Sequence, residues 1–198
     1  AGMFPGNPAQ SCEEIQAQGF YTVSGPFYVV VGLSTQRVWC DLERDGGGWT
    51  LLLKAAARSN AFEYNSDHWS THSTLNADDV STNRADAKYE TFNTLLTTEY
   101  LAVWPDFNDF TWHIGPFEPN TALNFFNSDD ALVLASDMGG RGIAAVPEEF
   151  NQAHFSFATG GNFQYGVNVA DGVHTSVRWG FSWSSPDDAT LNEAGSGI

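Results

Sequence analysis

The densest set of oxygen donors in this 198-residue chain lies near its end, where Ser184-Ser185-Pro186-Asp187-Asp188 is followed by Asn192-Glu193. Calcium takes roughly 6–8 oxygens from carboxylates, amides and carbonyls at about 2.3–2.6 Å, so a loop of this composition can hold it. The same residues also read as a solvated acidic loop. The run 177–183, Val-Arg-Trp-Gly-Phe-Ser-Trp, leads into them and alternates as a strand does. Alternation sends Trp179 and Trp183 to one face and Phe181 to the other, so at least one of those faces is core. A ring beside a cation site could pack on the apolar face of a sugar. Trp183, nearest the loop, is the candidate ring, and Asn192 is the candidate polar partner for a ligand.

Other chemistries find less support. His68 and His72 are four residues apart and would share one face of a helix, which is half of a zinc site, but no third ligand follows at a diagnostic distance. Trp69-Ser70-Thr71 between them is a weak helix former. There is no Gly-x-Ser-x-Gly elbow, and neither cysteine lies in a protease-like context. Glu148-Glu149 are adjacent and would diverge, so they make a poor acid–base pair. Met138-Gly139-Gly140-Arg141-Gly142 lacks the lysine and the strand–helix setting of a phosphate loop. Asp78-Asp79 and Asp129-Asp130 read as surface turns. The expectation is that the chain is not an enzyme.

The charge balance narrows the partners. With 24 carboxylates against 8 lysines and arginines the formal charge is −16, which repels nucleic acid and anionic membrane surfaces. No run of about 18 apolar residues is present, so no membrane insertion is expected. Aromatics make up 14% of the chain, enough for a large β-rich core or for exposed rings that stack on sugars or partners. The opening Ala1-Gly2-Met3-Phe4 lacks the charged and apolar regions of a signal peptide, which fits a processed, mature form.

The elements that would position these residues follow from the turn and alternation signals. Residues 1–11, with Pro5, Gly6 and Pro8, read as an extended arm, and 12–198 as one domain. A short helix over 13–18 has Ser11 as its cap, with Glu14 placed to return the bond. Strands are expected at 27–31, 37–42 and 49–54, with Asp45-Gly46-Gly47-Gly48 as a tight turn between the last two. Short helices are expected at 76–80 and 89–95, and further strands at 100–104, 110–114, 132–135, 154–157 and 177–183. The long polar stretch 55–97 reads as site-bearing loops. Cys12 and Cys40, the only cysteines, frame the apolar strand, so one bridge can close this unit, a pairing that fits an oxidising compartment.

The order Ser11-Cys12-Glu13-Glu14-Ile15, Val38-Trp39-Cys40-Asp41-Leu42 and Gly46-Gly47-Gly48-Trp49-Thr50 resembles the opening of fibrinogen-related domains and of the related intelectins. Phe62-Glu63-Tyr64 and Trp69 are similar to the aromatic stretch that follows in those families, and 99–104 resembles a later strand. The resemblance implies a Cys12–Cys40 disulfide and a fold of α+β class: a fibrinogen C-terminal-like domain with a twisted antiparallel sheet, short helices and long loops. It implies calcium as the cofactor, with Asp187, Asp188 and Glu193 as ligands and Asp86 joining from the middle segment. The chain departs from the pattern in two places. Ala55-Ala56-Ala57 stands where upstream ligands would be, and the glycine-rich segment and final strand expected after the calcium loop have no counterpart before Ile198. An open edge along 177–183 is the expected consequence.

The function expected from these readings is a secreted, extracellular, calcium-assisted module for carbohydrate binding or adhesion, with glycans or cell-surface carbohydrate as partners. The alternative is a structural subunit, a homo-oligomer or fibre, that polymerises through strand addition or through its N-terminal arm.

Overall fold

The computed structural model describes residues 1–56, 59–105, 109–127, 132–137, 162–170, 176–184 and 194–197. It mixes short helices with antiparallel sheets, as the α+β reading requires. Ser11 sets the first helix. Its backbone is extended and its hydroxyl accepts the Glu14 N–H at 3.0 Å, so α1 runs Cys12–Ala17. Glu14 takes the Gln10 N–H at 2.6 Å, one residue upstream of the expected reciprocal partner. A helix of six residues has no stability of its own. It is held by buried Cys12 and Ile15 and by the Cys12–Cys40 disulfide, whose Cα atoms are 5.4 Å apart.

Strand β1 (Gly25–Val31) turns through Gly32-Leu33 into β2 (Ser34–Asp41), in a register that sets Phe27 opposite Val38 and Gly25 opposite Cys40. Phe27, Val29, Val31, Val38 and Cys40 share one face and form a core with Ile15, Cys12 and Leu42. The expected strand over 49–54 divides in two. Here β3 (Trp49–Thr50) pairs with β2, while β4 (Leu53–Lys54) pairs with β5 (Ala87–Lys88). Between β2 and β3 the chain makes a 3-10 turn, and Gly47 adopts φ 75° and ψ −176°, a region open essentially to glycine. A Cβ there would run into the Leu42 carbonyl, and the Gln16 side-chain amide donates to the Gly46 carbonyl, so the glycines let this turn close against α1.

The arm is not a simple extended lead-in. It folds back on itself, with Gly2 N–H donating to Asn7 O at 2.8 Å, and lies along β1. Tyr28 N–H donates to Gly2 O, and Ala9 exchanges bonds with Tyr28 O and Val30 N–H. Gly2 sits at φ 92°, and a Cβ there would meet Ile15 Cδ1 at 2.9 Å, so a larger residue would be strained and would displace that side chain.

The polar middle holds a 3-10 turn, Asp67–Trp69, and then α2 (Glu90–Thr94). No helix forms over 76–80. Asn76 sits at φ 46° and the segment bends, because Asn and Asp side chains compete for backbone bonds and favour turns. Beyond it, β6 (Leu96–Thr97), β7 (Tyr100–Trp104), β8 (Phe110–Ile114), β9 (Asn120–Thr121) and α3 (Ala122–Asn127) follow, with β6 paired to β9 and β7 to β8.

A four-stranded antiparallel sheet completes the fold. Its order is β10 (Leu132–Asp137), β11 (Asn162–Ala170), β12 (Ser176–Ser184) and β13 (Ala194–Gly197). β12 is the expected alternating strand, and it is interior. The edge expected to lie open beside it is taken by the chain's own β13, with Gly180 opposite Gly197 and Trp183 opposite Ala194. Buried Asn168, at φ 52°, accepts Arg178 Nη1 at 3.0 Å, and Arg178 also donates to the Tyr64 and Phe126 carbonyls. The chain divides into two compact units: 1–61, 67–103 and 111–125 in one, and 62–66, 104–110 and 126–198 in the other. Among the described residues no helix is long and apolar enough to cross a membrane. The strand expected at 154–157 lies outside the described residues.

Candidate functional site

Asp187, Asp188, Asn192 and Glu193 lie outside the described residues, as do the Asp129-Asp130 and Glu148-Glu149 pairs and the 138–142 turn. Trp183 belongs to β12, where its backbone stands opposite Phe163 and Ala194. Asp86 is half-buried, and its Oδ1 accepts the Ala56 N–H at 2.7 Å. It therefore ties the end of the 76–86 loop to the stretch after β4. Asn76 closes the other end by donating its amide to the Asp86 carbonyl at 2.9 Å. His68 falls in a 3-10 turn and His72 beyond it, so the shared helical face does not form.

Two polar arrangements in the first unit were not anticipated as sites. One is centred on Lys54, whose side chain is 9% exposed. Nζ lies 3.0 Å from Asp79 Oδ2, 2.8 Å from Asn83 Oδ1 and 3.5 Å from the Asp79 carbonyl. Asp79 also accepts from Ser81 at 2.6 Å and from the Asn83 amide at 2.7 Å. Bonds from Ser81, Lys54 and Asn83 hold the Asp79 carboxyl down at about 2. Tyr89 adds its hydroxyl to the Asp79 carbonyl. The 76–86 loop is thus built around oxygen ligands whose cation is a lysine of the same chain. The pair Asp78-Asp79, read from sequence as a surface turn, supplies the centre of that loop.

The neighbouring strand residue Lys88 is fully buried, lies 4.8 Å from the centre of the Phe92 ring and donates to the Thr71 carbonyl. Burial pulls its amine down to about 8, against a smaller opposing pull from Glu90. The sign follows from linkage. The unfolded chain holds this proton up to about pH 10.5 while the folded chain releases it near 8, so stability rises with pH across that window. Lys88→Met removes the titration. Urea unfolding at neutral pH and near pH 10 is expected to show wild type gaining stability relative to Lys88→Met at the higher pH. An unchanged difference would place the proton equilibrium elsewhere.

The second arrangement surrounds His113, on the outward side of β8 between buried Trp112 and Ile114. Its Nδ1 lies 3.3 Å from Asp45 Oδ2 and its Nε2 lies 3.3 Å from Glu99 Oε2. The Trp49 ring stands edge-on at 5.3 Å. Each component is fixed by its own element. Asp45 is at φ 42° in the 3-10 turn, and Trp49 Nε1 donates to the Arg44 carbonyl at 3.0 Å. Glu99 is set by the close passage of Gly115, whose absent Cβ would fall 2.9 Å from both Glu99 Cγ and Thr98 O. The Phe117 N–H donates to Thr98 O at 2.7 Å and holds that passage.

Beneath the same turn, Asp41 organises the end of β2. Burial would raise its carboxyl, but the Arg44 N–H, the Arg44 guanidinium at 2.7 Å and the Glu43 N–H outweigh it and hold the group below its usual range. Among the described residues no three His, Cys, Asp or Glu side chains gather about a single point. His113, Asp45 and Glu99 obey this too, since the two carboxylates lie on different ring nitrogens. Strand alternation could have placed His113 on the outer face of β8, but nothing in the sequence links it to residues 45 and 99.

Comparison with protein-family models gives no match, and comparison with curated proteins gives none either.

Proposed function

We propose that this chain is a secreted recognition module that binds carbohydrate or a cell-surface glycan with the help of calcium, and that it is not an enzyme. The observation that carries the reading is the Cys12–Cys40 disulfide with the glycine-mediated turn packed beside it. The bridge pins α1 to β2, and the Asp45-to-Trp49 turn closes on α1 directly afterwards, in the sequence order that resembles the opening of fibrinogen-related domains and intelectins. A disulfide-bonded domain with an acidic surface and long loops suits an extracellular setting.

Calcium, when bound, would hold vicinal hydroxyls of the sugar as ligands. Asp187, Asp188 and Glu193 would provide most of the protein oxygens, with Asn192 bonding the ligand and Trp183 packing on the sugar's apolar face. Asp86 is a poorer fit than its sequence position implies, because one carboxylate oxygen is committed to the Ala56 N–H. The 76–86 loop does not call for an added ion, since Lys54 already supplies positive charge there.

The deciding experiment is a glycan array on the purified chain with millimolar calcium and again with a chelator. Binding that the chelator abolishes, together with loss of a calcium-induced rise in melting temperature in Asp187→Asn/Asp188→Asn, is the expected result. Absence of binding in both conditions overturns the reading.

A second reading, the extracellular assembly subunit, is favoured by one feature. β13 is a short outer strand of Ala-Gly-Ser-Gly with no charged residue, and such an edge is a template for strand addition. The N-terminal arm is a weaker candidate for that role because it is already paired with β1 of its own chain. Light scattering that shows a monomer at all concentrations, with and without residues 1–11, would remove this reading.

A further inference from the structure

We propose that Lys54 and Asn83 join through a covalent amide bond between their side chains, a self-modification site that ties β4 to the end of the 76–86 loop. The inference is independent of the carbohydrate reading and concerns other residues. Acyl transfer needs a nucleophile beside a carbonyl, a group that moves protons between the attacking and leaving atoms, and a donor on the oxygen that gathers charge. All three stand around Asn83. Lys54 Nζ lies 2.8 Å from Asn83 Oδ1, so amine and carboxamide are already in contact. Asp79 Oδ2 lies 3.0 Å from Nζ and accepts the Asn83 amide at 2.7 Å, so one carboxylate oxygen touches both the attacking and the departing nitrogen. The Ala85 N–H donates to Asn83 Oδ1 at 3.1 Å, on the atom that becomes the oxyanion.

The surrounding bonds hold these groups in place. Ser81 donates to Asp79 Oδ1 at 2.6 Å, which leaves Oδ2 to serve the two nitrogens, and the Tyr89 hydroxyl holds the Asp79 carbonyl. Lys54 is fixed by the pairing of β4 with β5, and its side chain is almost wholly enclosed. Asn83 is exposed, so the leaving nitrogen has a path to solvent. Holding two reacting side chains together in this way removes the entropy cost of bringing them into contact.

The atoms balance without a co-reactant. The step starts from the charged amine of the ion pair, which passes one proton to Asp79 Oδ2, and the freed lone pair of Nζ attacks Asn83 Cγ. The negative charge of the tetrahedral carbon rests on Oδ1. Asp79 hands its proton to Nδ2 and relays a second one from Nζ, the Cγ–Nδ2 bond breaks, and Nδ2 leaves as ammonium. Nζ keeps one proton as the N–H of the new amide. The Asp79 carboxyl, held at about 2, is a weak base, so the first proton transfer is slow. A bond made once in the life of a chain does not require a fast one. Hydroxide offers a second route to the uncharged amine, so the bond should form sooner as pH rises.

The test is intact-mass spectrometry of the full, disulfide-bonded chain, fresh and after prolonged incubation at neutral pH and at about pH 9, where more of the amine is uncharged. The expected result is a mass lower by one ammonia, reached sooner at the higher pH. Trypsin should then release residues 45–58 joined to residues 59–84, because an acylated Lys54 is no longer a cleavage site. Lys54→Arg keeps a cation beside Asp79 and should retain the full mass, as should Asn83→Ala. Asp79→Asn should slow the loss by about tenfold or more. Far-UV circular dichroism checks each fold, and the wild-type mass alone decides even where a variant fails to fold. Three results overturn the proposal: a wild-type mass that stays complete at both pH values, a loss of ammonia that persists in Lys54→Arg, or exchange of ammonia for water at Asn83 with no joined peptide.

Discussion

Cys12→Ser is expected to lower the unfolding free energy by roughly 2–5 kcal/mol. The bridge spans 28 positions, and closing a loop of that length in the unfolded chain accounts for about 3–4 kcal/mol in the chain-entropy picture. Both sulfurs belong to fully buried residues in the core formed by α1, β1 and β2, so the variant also leaves a hydroxyl and a thiol among Ile15, Val29 and Val38. The helix suffers most, because six residues capped by Ser11 have little else to hold them. Urea denaturation, with and without reductant, checks this. Wild type with reductant should move to the midpoint of the variant, and a variant that melts as wild type does would show that the bridge contributes nothing. Loss of α1 also removes Gln16 from beneath the Gly46 carbonyl, so the turn carrying Asp45 should loosen.

Trp69→Ala carries the other large effect, roughly 3–5 kcal/mol. The side chain is fully buried and its ring lies 6.1 Å from that of Phe92. Around it the backbone has little regular structure to depend on. β4 and β5 are two residues each, and the loops on either side are joined by side-chain bonds such as Asn93 to the His72 carbonyl at 2.8 Å. Removing the largest apolar body from this region leaves a cavity that the surrounding loops can only partly fill. Hydrogen exchange should show protection lost first at the Leu75 and Lys88 amides, which pair with each other's carbonyls. Protection there unchanged from wild type would mean that the polar network, and not the indole, holds the middle of the chain.

The two effects differ in how visible they were from sequence. The first follows from local signals. Ser11 as cap, the apolar alternation through Val29 and Val31, the glycine run and the two cysteines lie within fifty residues, and each states its own backbone requirement. The helix, the hairpin and the disulfide accordingly stand close to their expected places. In the middle, the signals conflict. The 49–54 run has one strand pattern but two partners, because β3 answers to β2 while β4 answers to β5 across more than thirty intervening residues. Propensity cannot report such a division, since a two-residue strand is defined by its partner. β13 escaped notice for the same reason. Ala-Gly-Ser-Gly has no strand propensity, and it pairs because β12 presents an edge to it.

The sequence by itself determined the chemical inventory: a strongly acidic chain, one pair of cysteines that bridge, a capped first helix, an alternating hairpin and a glycine turn that only glycines can make. These are properties of neighbouring residues and of simple sterics, so they survive without knowledge of the fold. Tertiary structure decided which charges meet. It placed the Lys54 ammonium among the oxygens of Asp79 and Asn83, enclosed Lys88 beside Phe92, and brought Asp45 and Glu99 to the two nitrogens of His113. Electrostatic contact depends on a few ångströms of separation in space, and residues distant along the chain acquire that separation only when the strands and turns between them have packed.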